Sequence, residues 1–254
     1  LHIQVHPTIP FSRAHLGADA GKTEAYVILA CRDDVTEPAF HLGFRTLPEP
    51  GRLRQMVEAQ QVDDLLRLMH RVPVSPGDAF LVPGGVPHAI GEGVLMIEIM
   101  EPTDFVARFE FERGGYTLPP ASRFLGRDLD FALSMLDLRA YAADELKAAF
   151  FATPLAVDPG WPGVSCESLI DSRLTDRFTV KRYRASAPFV LAEKSFFVMV
   201  VTHGRGVARC PYSGGSDPQP FRAYDRFFVP FDSRAIGVAP EGEVEIVVIL
   251  PPHA

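Results

Sequence analysis

The sequence predicts a mainly β protein made of two β-rich lobes, with a helical insertion in the first and bridging helices between them. Three observations carry this reading. Glycine (20) and proline (23) punctuate the chain at short intervals, as turns between short strands require. The segments between them are strand-sized, either alternating in polarity or rich in β-branched and aromatic residues. A three-to-four-residue apolar spacing replaces that pattern in only two stretches, about 49–71 and 128–151. With 254 residues, 47% of them hydrophobic, the chain can bury a sizeable core in one large or two ordinary domains.

In order along the chain, Leu1 to His6 alternates, with His2, Gln4 and His6 on one face and Leu1, Ile3 and Val5 on the other. Pro7 and Pro10 open a loop expected to run through Ala20. Gly21 to Cys31 (GKTEAYVILAC) reads as a second strand, Arg32 to Glu37 as a turn, and Ala39 to Arg45 as a third strand. Leu53, Met56, Val57, Val62, Leu65, Leu66 and Met69 then form the stripe of a helical hairpin or bent helix, ended by Pro73 and Pro76. Strands are expected over Val74 to Val82, Gly93 to Met100 and Val106 to Phe111. Asp128 to Phe151 reads as helical, and Pro154 to Pro162 as a connector. From Val164 onward strands follow one another, over Arg177–Tyr183, Phe189–Leu191, Ser195–Thr202, Gly206–Cys210, Phe221–Val229 and Glu243–Leu250. The domain plan is therefore a first lobe over 1–115 with its insertion at about 49–71, a helical connector over 116–160 and a second lobe over 161–254.

Composition excludes several partners. With 32 Asp+Glu against 25 Lys+Arg, the net charge of −7 repels phosphodiester backbones, so nucleic acid is not expected. A small anionic substrate stays open, because local charge can oppose the global balance. No apolar run approaches the roughly 20 residues of a membrane span. Three widely spaced cysteines (Cys31, Cys166, Cys210) without a CxxC point away from a disulfide framework or a thiolate zinc site. A reducing, cytoplasmic setting is the simplest expectation. The chain begins at Leu1 in a strand pattern that already carries polar candidates. A signal peptide is not visible, and an upstream segment is expected to be missing.

The chemistry gathers around Leu81 to Arg108 (LVPGGVPHAIGEGVLMIEIMEPTDFVAR). His88 follows Pro83-Gly84-Gly85-Val86-Pro87, a restricted turn that places the next side chain with little entropy left to lose. Gln4 and His6 stand two apart on one strand, and so do Lys22 and Glu24 on the next, so each pair projects to one side. Each piece alone also fits a solvated sheet face or a structural histidine. Together, Gln4, His6, Glu24 and His88 form an N/O set suited to one Zn²⁺ in a site open to substrate. Two neutral imidazoles, an amide and one carboxylate leave such an ion about +1, a stronger Lewis acid than among several anions. Glu98 lies in an apolar strand, either partnered near the site with a raised pKa or left in water at a sheet edge. Arg108 suits an oxyanion or a phosphate, and equally a surface ion pair.

QVHP at 4–7, GKTEAYVIL at 21–29 and VPGGVPHAIGEGVLMIEIMEPTDFVAR at 82–108 resemble type I mannose-6-phosphate isomerase, a zinc-dependent cupin family. The resemblance extends over the helical insertion and, more loosely, over ESLIDSRLTDRFTVKRY at 167–183 in the second lobe. It implies two cupin or jelly-roll-like lobes, one zinc per chain on Gln4, His6, Glu24 and His88, an active-site Lys22 and Arg108, and Glu98 as a candidate proton-transfer acid. It also implies interconversion of mannose 6-phosphate and fructose 6-phosphate through an enediol, with a small phosphosugar as partner. The chain departs from the family pattern at Thr8, where aspartate is usual, and at Met100-Glu101, where glutamines are usual. Family members also carry a substantial part before QVHP.

The second lobe shows no comparable constellation: His203 and His253 are its only histidines, far apart. Two other functional classes compete. A non-catalytic sugar-phosphate-binding cupin or regulator would have less need of both Lys22 and Arg108 beside the metal. An iron-dependent dioxygenase would favour more histidines and open positions for oxygen. Oligomeric state is not encoded in any motif of the chain.

Overall fold

The computed structural model describes residues 1–49, 51–210, 218–233 and 235–252; His253 lies outside them. The chain divides into two compact units, Leu1–Phe151 and Ala152–Ala254. Strands dominate both, and every pairing of named strands is antiparallel among the described residues. This is the mainly β architecture expected.

The first unit opens with β1 (Gln4–Val5) and α1 (Ile9–His15), followed by β2 (Glu24–Cys31) and β3 (Ala39–Phe44). A helical hairpin follows, α2 (Arg52–Glu58) and α3 (Val62–Leu68), then β4 (Met69–Pro73), β5 (Ala79–Val82), β6 (His88–Ile90), β7 (Val94–Met100) and β8 (Ala107–Arg108). A small hairpin, β9 (Glu112–Arg113) and β10 (Tyr116–Thr117), precedes α4 (Leu129–Leu133) and α5 (Ala143–Phe150). The strands make a five-stranded sheet, β4-β3-β6-β1-β8, and a three-stranded sheet, β5-β2-β7. Tyr26, Ile28, Phe80 and Val82 from the second pack against Phe40, Leu42, Val72 and Ile90 from the first, so the two sheets share an apolar interior.

Alternation decides what each face does. Ile3, Val5, Ala89, Ala107 and Phe109 point to the back of the five-stranded sheet, where they join Met56, Val57, Leu65, Leu129, Ala132 and Met135. The helical insertion is thus a cover over the sheet's apolar back. At about 1.5–3 kcal/mol for each fully buried large apolar side chain, that cover outweighs the weak intrinsic stability of seven-residue helices.

Two segments depart from the sequence reading. Residues 9–15, expected as loop, form α1: Thr8 is extended and its Oγ1 accepts a hydrogen bond from the Phe11 N–H at 3.2 Å, with Pro10 in the first turn. Seven residues are too few to display a helical period. The stretch expected as a connector over 116–160 does not stand apart, since the first unit runs to Phe151. The reason lies in packing: Leu129, Ala132 and Met135 complete the helical cover, and Tyr141, Leu146 and Phe150 enter the core between the sheets.

The second unit comprises β11 (Leu155–Val157), β12 (Val164–Ile170), β13 (Thr179–Ala185), β14 (Phe189–Ala192), β15 (Phe197–His203), β16 (Arg205–Arg209), β17 (Gln219–Arg222), β18 (Arg226–Val229), β19 (Ala235–Pro240) and β20 (Val244–Leu250). Its six-stranded sheet, β11-β12-β13-β20-β15-β18, faces a four-stranded one, β14-β19-β16-β17, across a single apolar core. The single strand expected over 221–229 is broken in two by a turn in which Tyr224 takes φ 74°. No helix of the described residues is long and apolar enough to cross a membrane.

Candidate metal centre

The inner face of the five-stranded sheet carries the site. While Ile3 and Val5 serve the helical cover, Gln4 and His6 face the opposite way. In register, Gln4 lies opposite both His88 on β6 and Arg108 on β8, so the three stand in one row on one face. Glu24 comes from the other sheet, at the start of β2. The sandwich therefore brings Gln4, His6, Glu24 and His88 together from two sheets, all of them buried.

The elbow before His88 is built around one backbone oxygen. A Cβ on Gly84 would lie 2.5 Å from the Pro7 carbonyl oxygen, and a Cβ on Gly21 would lie 2.7 Å from the same atom. Gly85, at φ 90°, donates its N–H to the His6 carbonyl at 2.7 Å, and Lys22 donates its N–H to Pro7 at 3.1 Å. The three sequence motifs are thus in backbone contact, and only glycine fits at two of the contact points.

Glu24 is the hub. Its Oε1 lies 3.1 Å from His6 Nε2 and 3.1 Å from Lys22 Nζ, and its Oε2 lies 3.2 Å from His88 Nε2. Gln4 Nε2 is 3.1 Å from His88 Nε2, and the two imidazole centroids are 5.0 Å apart. Exchanging the amide's O and N by a 180° turn would present Oε1 at that point. The ligand atoms of His6, Glu24 and His88 lie within 4.8 Å of one another.

Tautomers follow from the carbonyls. His6 Nδ1 is 2.8 Å from the Phe105 oxygen, and His88 Nδ1 is 3.0 Å from the Val86 oxygen. A carbonyl can only accept, so both Nδ1 atoms carry hydrogen. Burial lowers the His6 pKa and favours the neutral ring, whose Nε2 then offers a lone pair. That lone pair faces Glu24 Oε1, and neither atom makes a well-aligned hydrogen bond, although Lys22 Nζ stands 3.1 Å from the carboxylate oxygen. Lys22 offsets part of the Glu24 charge, but the His6 lone pair and the carboxylate oxygen still face each other as two buried acceptors, a contact that a cation between them would relieve. The donor set fits a divalent ion with N and O ligands, its ring hydrogens already engaged by carbonyls as metal-binding histidines require.

The remaining candidates stand around this hub. Lys22 is buried against Glu24. Arg108 is half-buried, and its guanidinium donates to the Ser122 carbonyl at 3.3 Å. Glu98 lies on β7, the outer strand of the three-stranded sheet, directly opposite Tyr26. Both sequence alternatives for it hold in part: the residue is exposed, yet its Oε1 lies 3.2 Å from the Tyr26 hydroxyl. Desolvation of the carboxyl, then the Glu24 charge, raises its pKa. Sequence reasoning passed over Tyr26 itself, whose hydroxyl donates to Glu24 Oε2 at 2.5 Å. The signal was present: Tyr26 stands two residues from Glu24 and so shares its face. It also passed over a role for Glu101, whose buried carboxylate accepts from the Thr23 N–H at 2.8 Å between Lys22 and Glu24.

Part of the chain matches known proteins in sequence. The mannose-6-phosphate isomerase ManA of Bacillus subtilis is 38% identical over 114 residues, which cover 44% of this chain and 34% of that protein. The mannose-6-phosphate isomerase of Streptococcus mutans is 35% identical over a match of the same length. Over this stretch the chain is similar to mannose-6-phosphate isomerases. The match spans about a third of the length of these curated relatives. No protein-family model matches the chain. Among solved structures, the mannose 6-phosphate isomerase of Bacillus subtilis superposes with a TM-score of 0.71 at 18% identity, covering 98% of this chain and 70% of that one. A mannosephosphate isomerase described as putative, from Archaeoglobus fulgidus, gives 0.71 at 16% identity over 100% of this chain and 68% of its own. These two likenesses establish the shared fold across both β-rich units.

Proposed function

We propose that the chain carries the active site of a zinc-dependent aldose–ketose isomerase that interconverts mannose 6-phosphate and fructose 6-phosphate. The observation that carries this reading is the convergence of His6, Glu24 and His88 on one buried point beside Lys22, in a chain similar over part of its length to mannose-6-phosphate isomerases. Gln4, His6, Glu24 and His88 would hold one zinc ion. When bound, zinc supplies a Lewis acid that stabilises negative charge on the sugar oxygens.

The chain's own residues do the rest. The proton on C2 is too weakly acidic to leave unaided, and charge on the neighbouring oxygen must be stabilised as it goes. Lys22 Nζ, held by Glu24 at 3.1 Å, places positive charge beside the oxygens of the enediol. Arg108, in the same row as Gln4, adds a second cation that suits either that oxyanion or the substrate phosphate. Glu98 is the candidate group that carries the proton between C2 and C1. Its raised pKa keeps it closer to working pH than an ordinary carboxylate.

The test is a coupled assay with mannose 6-phosphate on zinc-loaded protein, beside His88→Ala and Arg108→Ala. Wild type should turn over. His88→Ala should lose both zinc and activity, whereas Arg108→Ala should keep zinc and lose rate by 10²-fold or more, as when a charge-stabilising donor is removed. Equal turnover in all three refutes the assigned roles. Sugar-phosphate binding without turnover in wild type refutes the enzyme in favour of a binding protein.

A further inference from the structure

Beneath the ligand set lies a fully buried tyrosine with no counterpart in the roles above. Tyr26 is 0% exposed, and its ring is fixed from two sides, edge-on to Phe40 at 5.2 Å and tilted against Phe80 at 5.4 Å between centroids. Its only polar atom reaches up to two carboxylates, Glu24 Oε2 at 2.5 Å and Glu98 Oε1 at 3.2 Å. A phenol has one proton to give, and the shorter contact assigns it to Glu24.

This arrangement has a directional consequence. With Oε2 accepting from a hydroxyl whose ring is packed against Phe40 and Phe80, the Glu24 carboxylate is oriented so that Oε1 faces His6 Nε2 and Lys22 Nζ. On the other side, the same hydroxyl meets Glu98, which the β2–β7 register sets directly across the sheet. We propose that Tyr26 is a positioning residue that locks the Glu24 carboxylate for the metal and sets the candidate proton-transfer group Glu98 at a fixed distance from it. The role rests on the zinc-isomerase reading above and deepens it. Groups that orient a ligand in this way are commonly worth 10–100-fold in metal affinity or activity.

Tyr26→Phe removes the hydroxyl and keeps the ring contacts with Phe40 and Phe80. Its zinc Kd, measured by competition with a chromophoric chelator, should rise 10–100-fold, and kcat for mannose 6-phosphate should fall while KM changes little. A purely structural tyrosine would lower the melting temperature of the metal-free protein and leave the zinc Kd in place. Glu98→Gln supplies a second arm: the Tyr26–Glu24 bond survives, so zinc Kd should stay within about threefold of wild type while kcat falls. Wild type that binds zinc beside a Tyr26→Phe of equal affinity overturns the role of Tyr26 alone. Glu98→Gln that loosens zinc tenfold overturns it too, because ligand orientation would then run through Glu98. Wild type without measurable zinc affinity overturns the metal centre itself, and this inference with it.

Discussion

Single side chains in the first unit do two kinds of work, and Tyr141 shows the second kind apart from the metal. Its ring lies in the core between the sheets, edge-on to Phe150, while its hydroxyl donates to Asp137 at 2.9 Å. Burial, and then that carboxylate, push its pKa up to about 12. The folded state therefore prefers the neutral phenol more than the unfolded chain does. The resulting stability is complete below the ordinary tyrosine pKa of about 10 and is lost as pH rises towards 12. Denaturant unfolding at pH 9 and pH 11.5 should show wild type losing more stability than Tyr141→Phe over that interval; parallel losses would refute the assignment. Neither Tyr141 nor Tyr26 stood out in the sequence. A tyrosine in an apolar run looks like core, and here both rings are core. Strand alternation puts Tyr26 on the face of Glu24, but only the third dimension shows that its hydroxyl also reaches Glu98 and that Tyr141 reaches Asp137.

At the scale of elements, the turn before β6 is the piece most exposed to test. Gly84 has no room for a Cβ against the Pro7 carbonyl, and the obstacle is the backbone of the Pro7–Thr8 peptide. Gly84→Ala should cost about 1–3 kcal/mol, as overpacking does, and should weaken zinc binding because His88 follows four residues later. A melting temperature and chelator competition on the same variant check both; a neutral alanine would show that the turn can shift freely. This turn was legible because its information is local: two glycines between prolines announce restricted geometry wherever they occur. The pairs Gln4/His6 and Lys22/Glu24 were legible for the same reason, since strand alternation alone puts each pair on one side. What failed was equally local but too short. α1 spans seven residues and declares itself only through Thr8 and Pro10. The division of β17 from β18 depends on a tyrosine at φ 74°, a conformation that its residue type does not favour. Thr8 is instructive, since the departure from the family's aspartate keeps a side chain able to cap a helix start.

At the scale of the whole chain, the sequence reading distinguishes strand-rich from helical stretches and places the 49–71 helices in the first lobe, but sets apart as a connector the later helices that the first unit includes. Apolar spacing says that a helix has a buried side, but not against which sheet. Leu129 and Ala132 answer by joining Ile3 and Val5, more than a hundred residues away. Because each unit has its own core, an ion bound in the first should be felt there alone. At a free concentration of 100 times its Kd, a ligand adds about 2.7 kcal/mol to the state that binds it. Hydrogen exchange with and without chelator should therefore show protection lost across the strands of residues 1–151 and unchanged across residues 152–254. A uniform change in both would mean that the two units open together.

The proposed ligand set draws Gln4, His6 and His88 from one sheet and Glu24 from the other. An ion held that way would tie the two layers of the sandwich together. Any separation of the two layers would pull the Glu24 carboxylate away from the other three, so the ion's residence time would shorten as the layers breathe.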